Sequence, residues 1–256
     1  MKNNNDTAFQ SNEHITDFGF RQVNDKEKPS MVKAVFDSVA QKYDIMNDLM
    51  SLGIHRVWKQ IFIQELHPTP NLTLLDLAGG TGDISFGWLN RGGGTVFLTD
   101  VNYSMLHVGQ ERALDRGYVD NIHLFCVDGE KICLSDRSVD RVTISFGLRN
   151  CTHKNQVLEE ARRVLKPGGR FLCLEFSKLI IPFLRPLYDA WSFQALPRIG
   201  QIIAKDRDSY QYLAESIRTF PDQETLKSLM EQAGLERVTY QNLSGGIAAI
   251  HSGWRI

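Results

Sequence analysis

The sequence is short of the features that would mark a secreted, metal-binding or nucleic-acid-binding protein. Only four cysteines occur in 256 residues (Cys126, Cys133, Cys151 and Cys173), and no two stand as Cys-x-x-Cys. That spacing argues against a disulfide framework and against the common zinc sites. Two of the four lie in apolar, strand-like runs, where cysteine acts as a small hydrophobe. A reducing compartment and no structural metal are therefore expected. The formal net charge is −1, which leaves no basic field to recruit nucleic acid or anionic lipid. No run of about 18 uncharged apolar residues exists, so no helical membrane span is expected. The first 30 residues hold neither an apolar signal core nor an Arg-rich amphipathic pattern. A cytoplasmic bacterial protein, or an already processed organellar one, fits this. Internal repeats and low-complexity tracts are missing too, and composition is that of an ordinary globular chain.

What is present is organised around Leu74-Leu75-Asp76-Leu77-Ala78-Gly79-Gly80-Thr81-Gly82-Asp83. An apolar run ends in an acid, a glycine-rich turn follows, and Ile84-Ser85-Phe86 can open a helix. This is the strand, turn and helix start of an α/β unit, and such turns bind ligands at the carboxyl end of a strand. Three ligand classes use a turn of this kind. A dinucleotide site needs Gly-x-Gly-x-x-Gly, but counting from Gly80 the last position is Ser85. A phosphate loop needs a lysine that is not there. An S-adenosylmethionine (SAM) turn needs an acid followed by spaced small residues, and Asp76, Ala78, Gly80 and Gly82 supply them. The plainer alternative is a tight turn with no ligand.

The strands that follow repeat the theme. Thr95–Thr99 reads as a strand ending in Asp100, which stands 20 residues past Gly80, where an acid can grip an adenosine ribose. Asp100 could instead cap the next helix. Ile122–Val127 ends in Asp128-Gly129, where a carboxylate can accept from an adenine amino group; the plain role is a turn. Val142–Phe146 leads into Gly147-Leu148-Arg149-Asn150, and a helix then stops at Lys166-Pro167-Gly168-Gly169. Arg170–Phe176 is the fifth strand. Helices over Asp208–Thr219 and Pro221–Ala233 precede two strands, Leu235–Leu243 and Ile247–His251. Their tight Gly245-Gly246 connection requires them to be antiparallel. The alternation predicts an α/β protein with a mostly parallel sheet covered on both faces.

Residues 1–29 read as a flexible tail, and residues 30–256 as one domain. Residues 30–66 form a helical cap, broken near Ser51–Gly53. Residues 179–219 form a helical cover over the substrate; the apolar part, 179–204, could rest on a membrane surface or simply pack on the core.

Two stretches carry a family resemblance. Tyr43-Asp44-x-Met46-Asn47-x-x-Met50-Ser51-x-x-x-His55-x-x-Trp58 resembles the N-terminal signature of the ubiquinone/menaquinone biosynthesis C-methyltransferases, the UbiE type. Arg163-Val164-Leu165-Lys166-Pro167-Gly168-Gly169-Arg170 through Ser177 resembles the second signature. Ser145 to Asn150 and Gly246 to His251 are similar as well, and the closing residues resemble alphaproteobacterial members. The resemblance covers roughly Val32 to the C-terminus. It implies a class I SAM-dependent methyltransferase (Rossmann-like), with a seven-stranded sheet whose last strand is antiparallel. It implies methylation of a ring carbon on a polyprenyl benzoquinol and, in some members, a demethylmenaquinol. The SAM contacts it implies fall on Thr81, Asp100, Asp128, Gly129 and Ser145, beside Gly80 in the turn.

The chemistry narrows the catalytic candidates. A sulfonium is its own leaving group, so no Lewis acid is needed. The ring carbon becomes nucleophilic when a ring hydroxyl, with a pKa near ~10 as in tyrosine, loses its proton. A cation or aimed donors beside that oxygen favour the anion. Arg149 and Asn150 are the first candidates: a guanidinium to hold charge or orient a water, an amide to bond a ring oxygen. Arg149 paired with an acid and Asn150 capping a helix is the plainer reading. His55 is a rival base. Tyr43 and Asp44 would close over the cofactor. Tyr188, Tyr210 and His251 are further substrate-contact candidates, and His14, His67, His107, His123 and His153 are read as structural. Expected partners are a prenylated quinol, a peripheral membrane or quinone-biosynthesis complex contact and no nucleic acid, with a homodimer left open. A non-catalytic SAM-fold scaffold, a methyltransferase for another acceptor and a nicotinamide oxidoreductase are the competing classes.

Overall fold

The computed structural model describes residues 14–40, 43–184, 186, 190–195, 198, 201 and 207–256. It opens with an antiparallel hairpin, β1 (Ile15–Phe18) paired with β2 (Arg21–Asn24). This hairpin lies inside the stretch expected as a tail. Its pattern is too short for sequence periodicity to register, and it is held from outside. Phe18 stacks on Tyr212 with ring centroids 4.2 Å apart. Phe20 N–H donates to Glu215 Oε2 at 3.1 Å. Gly19 turns at φ +61°, with Glu215 where a Cβ would stand.

Helices α1 (Lys28–Val39), α2 (Tyr43–Ser51) and α3 (His55–Glu65) follow. The break between α2 and α3 falls where expected, at Leu52 and Gly53 with φ of +51° and +78°. One sheet then takes β3 (Leu74–Leu77), β4 (Val96–Asp100), β5 (Ile122–Cys126), β6 (Val139–Ser145), β7 (Leu165–Phe176), β8 (Glu236–Leu243) and β9 (Ala248–Trp254). Its seven strands run in the order β5-β4-β3-β6-β7-β9-β8. The first five are parallel, and β9 is antiparallel to both β7 and β8. Gly245 and Gly246, at φ +68° and +92°, make the tight connection between those last two.

The strand faces follow the two-residue period. On β7, Leu172, Leu174 and Phe176 enter one core while Phe171 and Cys173 enter the other. The first core receives α3, α4 (Asp83–Asn90), α5 (Tyr103–Asp115) and α7 (Arg207–Thr219); the second receives α6 (Lys154–Val164) and α8 (Gln223–Gln232). Both faces of the central strands β3 and β7 are thus largely buried, which is why they read as apolar runs, whereas the edge strand β5 leaves His123, Phe125 and Cys126 exposed.

Strand order reverses between β3 and β6. After β3 the chain steps outward to β4 and β5, then returns to β3's other side with β6. Such a switch opens a crevice beyond the carboxyl ends of the strands. The described pieces of the apolar 179–204 stretch are Leu179 to Leu184, Pro186, Ala190 to Ala195, Arg198 and Gln201; its remaining residues lie outside the described set.

Candidate functional site

The turn after β3 is built from backbone strain and one buried acid. Ala78, Gly80 and Gly82 have φ of +49°, +55° and +86°. Such values suit glycine and cost a residue with a Cβ. A Cβ on Gly82 would stand 2.8 Å from Phe86. Asp76 is fully buried and takes Ser85 Oγ at 2.7 Å, Ser85 N–H at 3.2 Å and Thr143 Oγ1 at 2.9 Å. Burial pushes its carboxyl up to about 6, against the bonds from Ser85 and Thr143. Asp76 therefore ties the start of α4 to β3 and β6 rather than facing a ligand.

A cleft lies at the switch point. It joins five of the expected site residues: Gly80, Asp100, Asp128, Gly129 and Asn150. Asp100 takes Gly80 N–H at 3.0 Å and Asn102 N–H at 2.8 Å. Burial pushes its carboxyl to about 6, while those backbone donors pull it down. The helix cap after β4 is Asn102, whose side chain accepts from Met105 N–H at 3.1 Å, so Asp100 is not used for that role. Asp128 folds its own turn, accepting from Glu130 N–H at 2.9 Å. The apolar wall includes Val101, Met105, Ile144 and Phe146, and α1 closes the other side with Pro29, Val32, Lys33 and Phe36. These features fit SAM: a buried acid for two ribose hydroxyls, a glycine where a ligand nears the backbone, and flat apolar walls for a base.

Three expected residues are placed differently. Thr81 is buried in the turn before α4 and is not in the cleft lining. Ser145 ends β6 with its hydroxyl buried and unpartnered. Arg149 is buried and ion-paired with Glu175 at 2.9 Å, both side chains almost wholly enclosed. Its guanidinium also donates to Phe146 O and sits 5.6 Å from the Phe176 ring centroid. Glu175 in turn accepts from Arg149 N–H and Phe176 N–H at 3.3 and 2.9 Å. Neighbouring Asn150 lines the cleft, with its amide bonded at both ends: Oδ1 accepts from Tyr212 OH at 3.1 Å and Nδ2 donates to Phe146 O at 3.5 Å.

His55 is buried between α2 and α3, with Nε2 2.9 Å from Asp48 Oδ1. Burial lowers its pKa despite the Asp48 bond, so the ring is neutral near pH 7. It is not part of the cleft lining. His251 lies in the sheet 2.9 Å from Gln223 O, and Tyr210 is buried in α7. Tyr188 and the side chains of Tyr43 and Asp44 lie outside the described residues.

Sequence reasoning missed Tyr212, Glu130 and Lys28. Glu130 accepts from Thr152 and His153 N–H at 2.7 and 2.8 Å and so caps α6. His153, read as structural, meets both Glu130 and Asp25. These contacts join residues 22 to 128 positions apart, and no local spacing announces them.

Comparisons with known proteins agree with this geometry. Residues 18–255 match the model of the ubiE/COQ5 methyltransferase family. The ubiquinone/menaquinone biosynthesis C-methyltransferase UbiE of Acidiphilium cryptum is 62% identical over 240 residues, covering 94% of this chain and 96% of the relative. The protein of the same name from Brucella abortus is 52% identical over 243 residues, covering 93% and 90%. Among solved structures, a SAM-dependent methyltransferase from Aquifex aeolicus superposes with TM-score 0.59 at 19% identity, covering 86% of this chain and 98% of its own. Another from Thermotoga maritima, titled a possible histamine N-methyltransferase, gives TM-score 0.62 at 15% identity, covering 88% and 100%. At that identity the structures speak for the class I SAM methyltransferase fold alone.

Proposed function

Because the chain belongs to the ubiE/COQ5 methyltransferase family, and is a SAM-dependent C-methyltransferase of ubiquinone/menaquinone biosynthesis acting on a quinol, we propose that the switch-point cleft is where the methyl is transferred. The observation that carries this is the convergence of Gly80, Asp100, Asp128, Gly129 and Asn150 from four separate turns on one space. In this reading the Asp100 carboxylate accepts the two ribose hydroxyls. Asp128 and Gly129 border the adenine, and Gly80 lets the backbone come close. Thr81 and Ser145, neither of them in the lining, support the site from the turn before α4 and from the end of β6.

The bound cofactor supplies an electrophilic methyl on a sulfonium. The protein's part is to bind, align and exclude water. Asn150 is placed to hydrogen-bond a ring oxygen of the acceptor, with Tyr212 fixing its amide. Arg149 serves the reaction from behind the same turn: its pairing with Glu175 holds the backbone that presents Asn150. Alignment of two reactants contributes about 7–11 kcal/mol in well-oriented systems, enough to make such positioning the main source of rate. Phe146, which lines the cleft, packs 4.7 Å from Phe176 and 6.3 Å from Trp58 between ring centroids. Phe146, backed by these two buried rings, offers an apolar wall to a prenylated ring.

The acceptor in this reading is a 2-methoxy-6-polyprenyl-1,4-benzoquinol, with demethylmenaquinol as the second acceptor of the same site. The unit is one methyltransferase domain, capped by 30–66 and covered by 179–219, and the hairpin over 15–24, expected as part of a tail, packs onto it through Phe18 and Phe20. It works in the cytoplasm against the inner face of the membrane or a quinone-biosynthesis complex, where its substrate resides, and is compatible with a homodimer. Among the described residues no helix is long and apolar enough to cross a membrane. The test is an assay with purified protein, labelled SAM, and two reduced acceptors, a short-chain methoxy-benzoquinol and a demethylmenaquinol. A methyl on ring carbon, read by mass spectrometry, is the expected result, and the product ratio assigns the pathway. SAM binding without transfer to either acceptor would overturn the acceptor assignment.

A further inference from the structure

Lys28 is buried at the first position of α1, 1% exposed. A lysine is almost never enclosed without a partner. Its Nζ donates to Cys151 O at 3.0 Å, and among the described residues it forms no ion pair. The charged groups around it are Asp17 on β1, Glu130 beyond β5, Lys154 on α6 and Arg149, which shares its small cavity. Burial, with Lys154 adding to it, lowers its pKa to about 8 against the pull of Cys151, Asp17 and Glu130. A cation held at such a cost, on a main-chain carbonyl, ties two parts of the molecule together.

Those two parts are opposite walls of the cleft. The carbonyl belongs to the residue after Asn150, and Asn150 and Cys151 both line the cleft. Lys28 reaches that turn from behind, through a second cavity that it shares with Arg149, Lys154 and Tyr212. The helix it opens forms the facing wall with Pro29, Val32, Lys33 and Phe36. Further along, α1 is tied to the other side of the site. Asn102 Nδ2 donates to Asp37 Oδ1 at 2.9 Å and to Lys33 O at 3.4 Å. Asn102 N–H in turn donates to the Asp100 carboxylate. At the surface, His153 Nε2 lies 3.6 Å from Asp25 Oδ2 and repeats the link at the Lys28 end. One helix is thus pinned to the turn that carries Asn150 and to the turn that carries Asp100.

We infer that Lys28 is a positioning residue for methyl transfer, locking the α1 wall of the cofactor cleft to the turn that presents Asn150. Cofactor binding and acceptor alignment are then set by one element rather than separately. The inference rests on the cleft being the cofactor site.

The test compares wild type, Lys28→Met and Lys28→Arg. SAM affinity is read by calorimetry, kcat and KM with a short-chain methoxy-benzoquinol, and folding by thermal melts. Methionine has similar length without the charge, and Cys151 O keeps a bond from Lys154 Nζ at 3.4 Å. The Met variant is expected to melt cooperatively and bind SAM about tenfold more weakly, the scale of one charge-assisted hydrogen bond. Its kcat at saturating SAM is expected to fall, and arginine to recover part of both losses. A cooperative melt with unchanged SAM affinity and kcat would overturn the inference. Should the Met variant not fold, hydrogen exchange on wild type decides. The lock requires amides of α1 and of residues 148–152 to gain protection together on adding SAM, and protection of one set alone would overturn it. Wild type that binds no SAM would remove the cleft assignment first, and the role of Lys28 with it.

Discussion

The turn after β3 and the turn after β6 face the same cleft but are built in opposite ways. The first is shaped mainly by its own backbone, with three positive φ angles within five positions, and is seated on the adjacent strands: Asp76 bonds Ser85 and Thr143, and Gly80 N–H bonds Asp100. The second, Phe146 to Thr152, is held by side chains from elsewhere. Glu175 grips Arg149, Tyr212 grips Asn150, Lys28 grips Cys151 O, and Glu130 grips Thr152 N–H. A locally coded turn keeps its shape if the chain around it changes. A remotely held turn can couple distant elements, which suits the part of the site that must align a second reactant.

Removing one support shows how far the second turn depends on others. Glu175→Ala leaves a buried guanidinium unpaired and frees two backbone N–H groups. Breaking a buried pair in this way costs about 3–5 kcal/mol. The expected result is a large drop in the urea midpoint; a midpoint near that of wild type would mean that the turn does not lean on Glu175.

Asp100, which ends β4 and takes the first turn's Gly80 N–H, is tested by binding rather than stability. Asp100→Ala is expected to weaken SAM binding by about 3 kcal/mol, the scale of two hydrogen bonds to a charged acceptor. Calorimetry at pH 7 reads it, and unchanged affinity would remove the ribose assignment. The pH dependence sharpens this. In the free cleft, burial raises the Asp100 carboxyl from the usual 3.8 to about 6. Hydroxyl donors prefer the ionised form, so SAM affinity is full above pH 6 and declines as pH falls below it. For folding the sign is reversed. A raised acid contributes stability below about 3.8 and loses that contribution as pH rises through about 6, and Asp76 does the same. A SAM titration between pH 5 and 8 that is flat for wild type would contradict the acceptor role.

Asn150→Ala separates the two reactants. SAM affinity is expected to stay within about twofold while kcat falls by about tenfold or more, the loss of one aligned hydrogen bond. A variant turning over at the wild-type rate would clear Asn150 of any part in the reaction. The smallest change is Tyr212→Phe. It removes one bond to Asn150 and keeps the stack on Phe18, so about 0.5–1.5 kcal/mol of stability is expected to be lost. Denaturant unfolding measures it, and an unaltered kcat beside a normal SAM affinity would show that the amide of Asn150 needs no such clamp.

Both family signatures, the sheet with its antiparallel end and the break at Leu52-Gly53 were legible in the sequence. They are legible because apolar periodicity, glycine and strand-ending acids are local signals. The hairpin over 15–24 was not, since four-residue strands carry too little pattern and its hold comes from Tyr212 and Glu215.

What the sequence by itself determined is the chemistry available at the end of each strand: the glycine turn, Asp100, Asp128, and the Arg149-Asn150 pair. Only the tertiary structure decided which way each of these points. Asp76 and Asp100 are both buried acids near pKa 6, yet one fastens the sheet and the other borders the cleft. Arg149 and Asn150 are adjacent, yet one is sealed against Glu175 and the other faces the cofactor side. The reason is physical. A residue's type fixes what it can donate or accept, but its partner is set by which distant strand or helix the sheet brings within about 3 Å, the reach of a hydrogen bond.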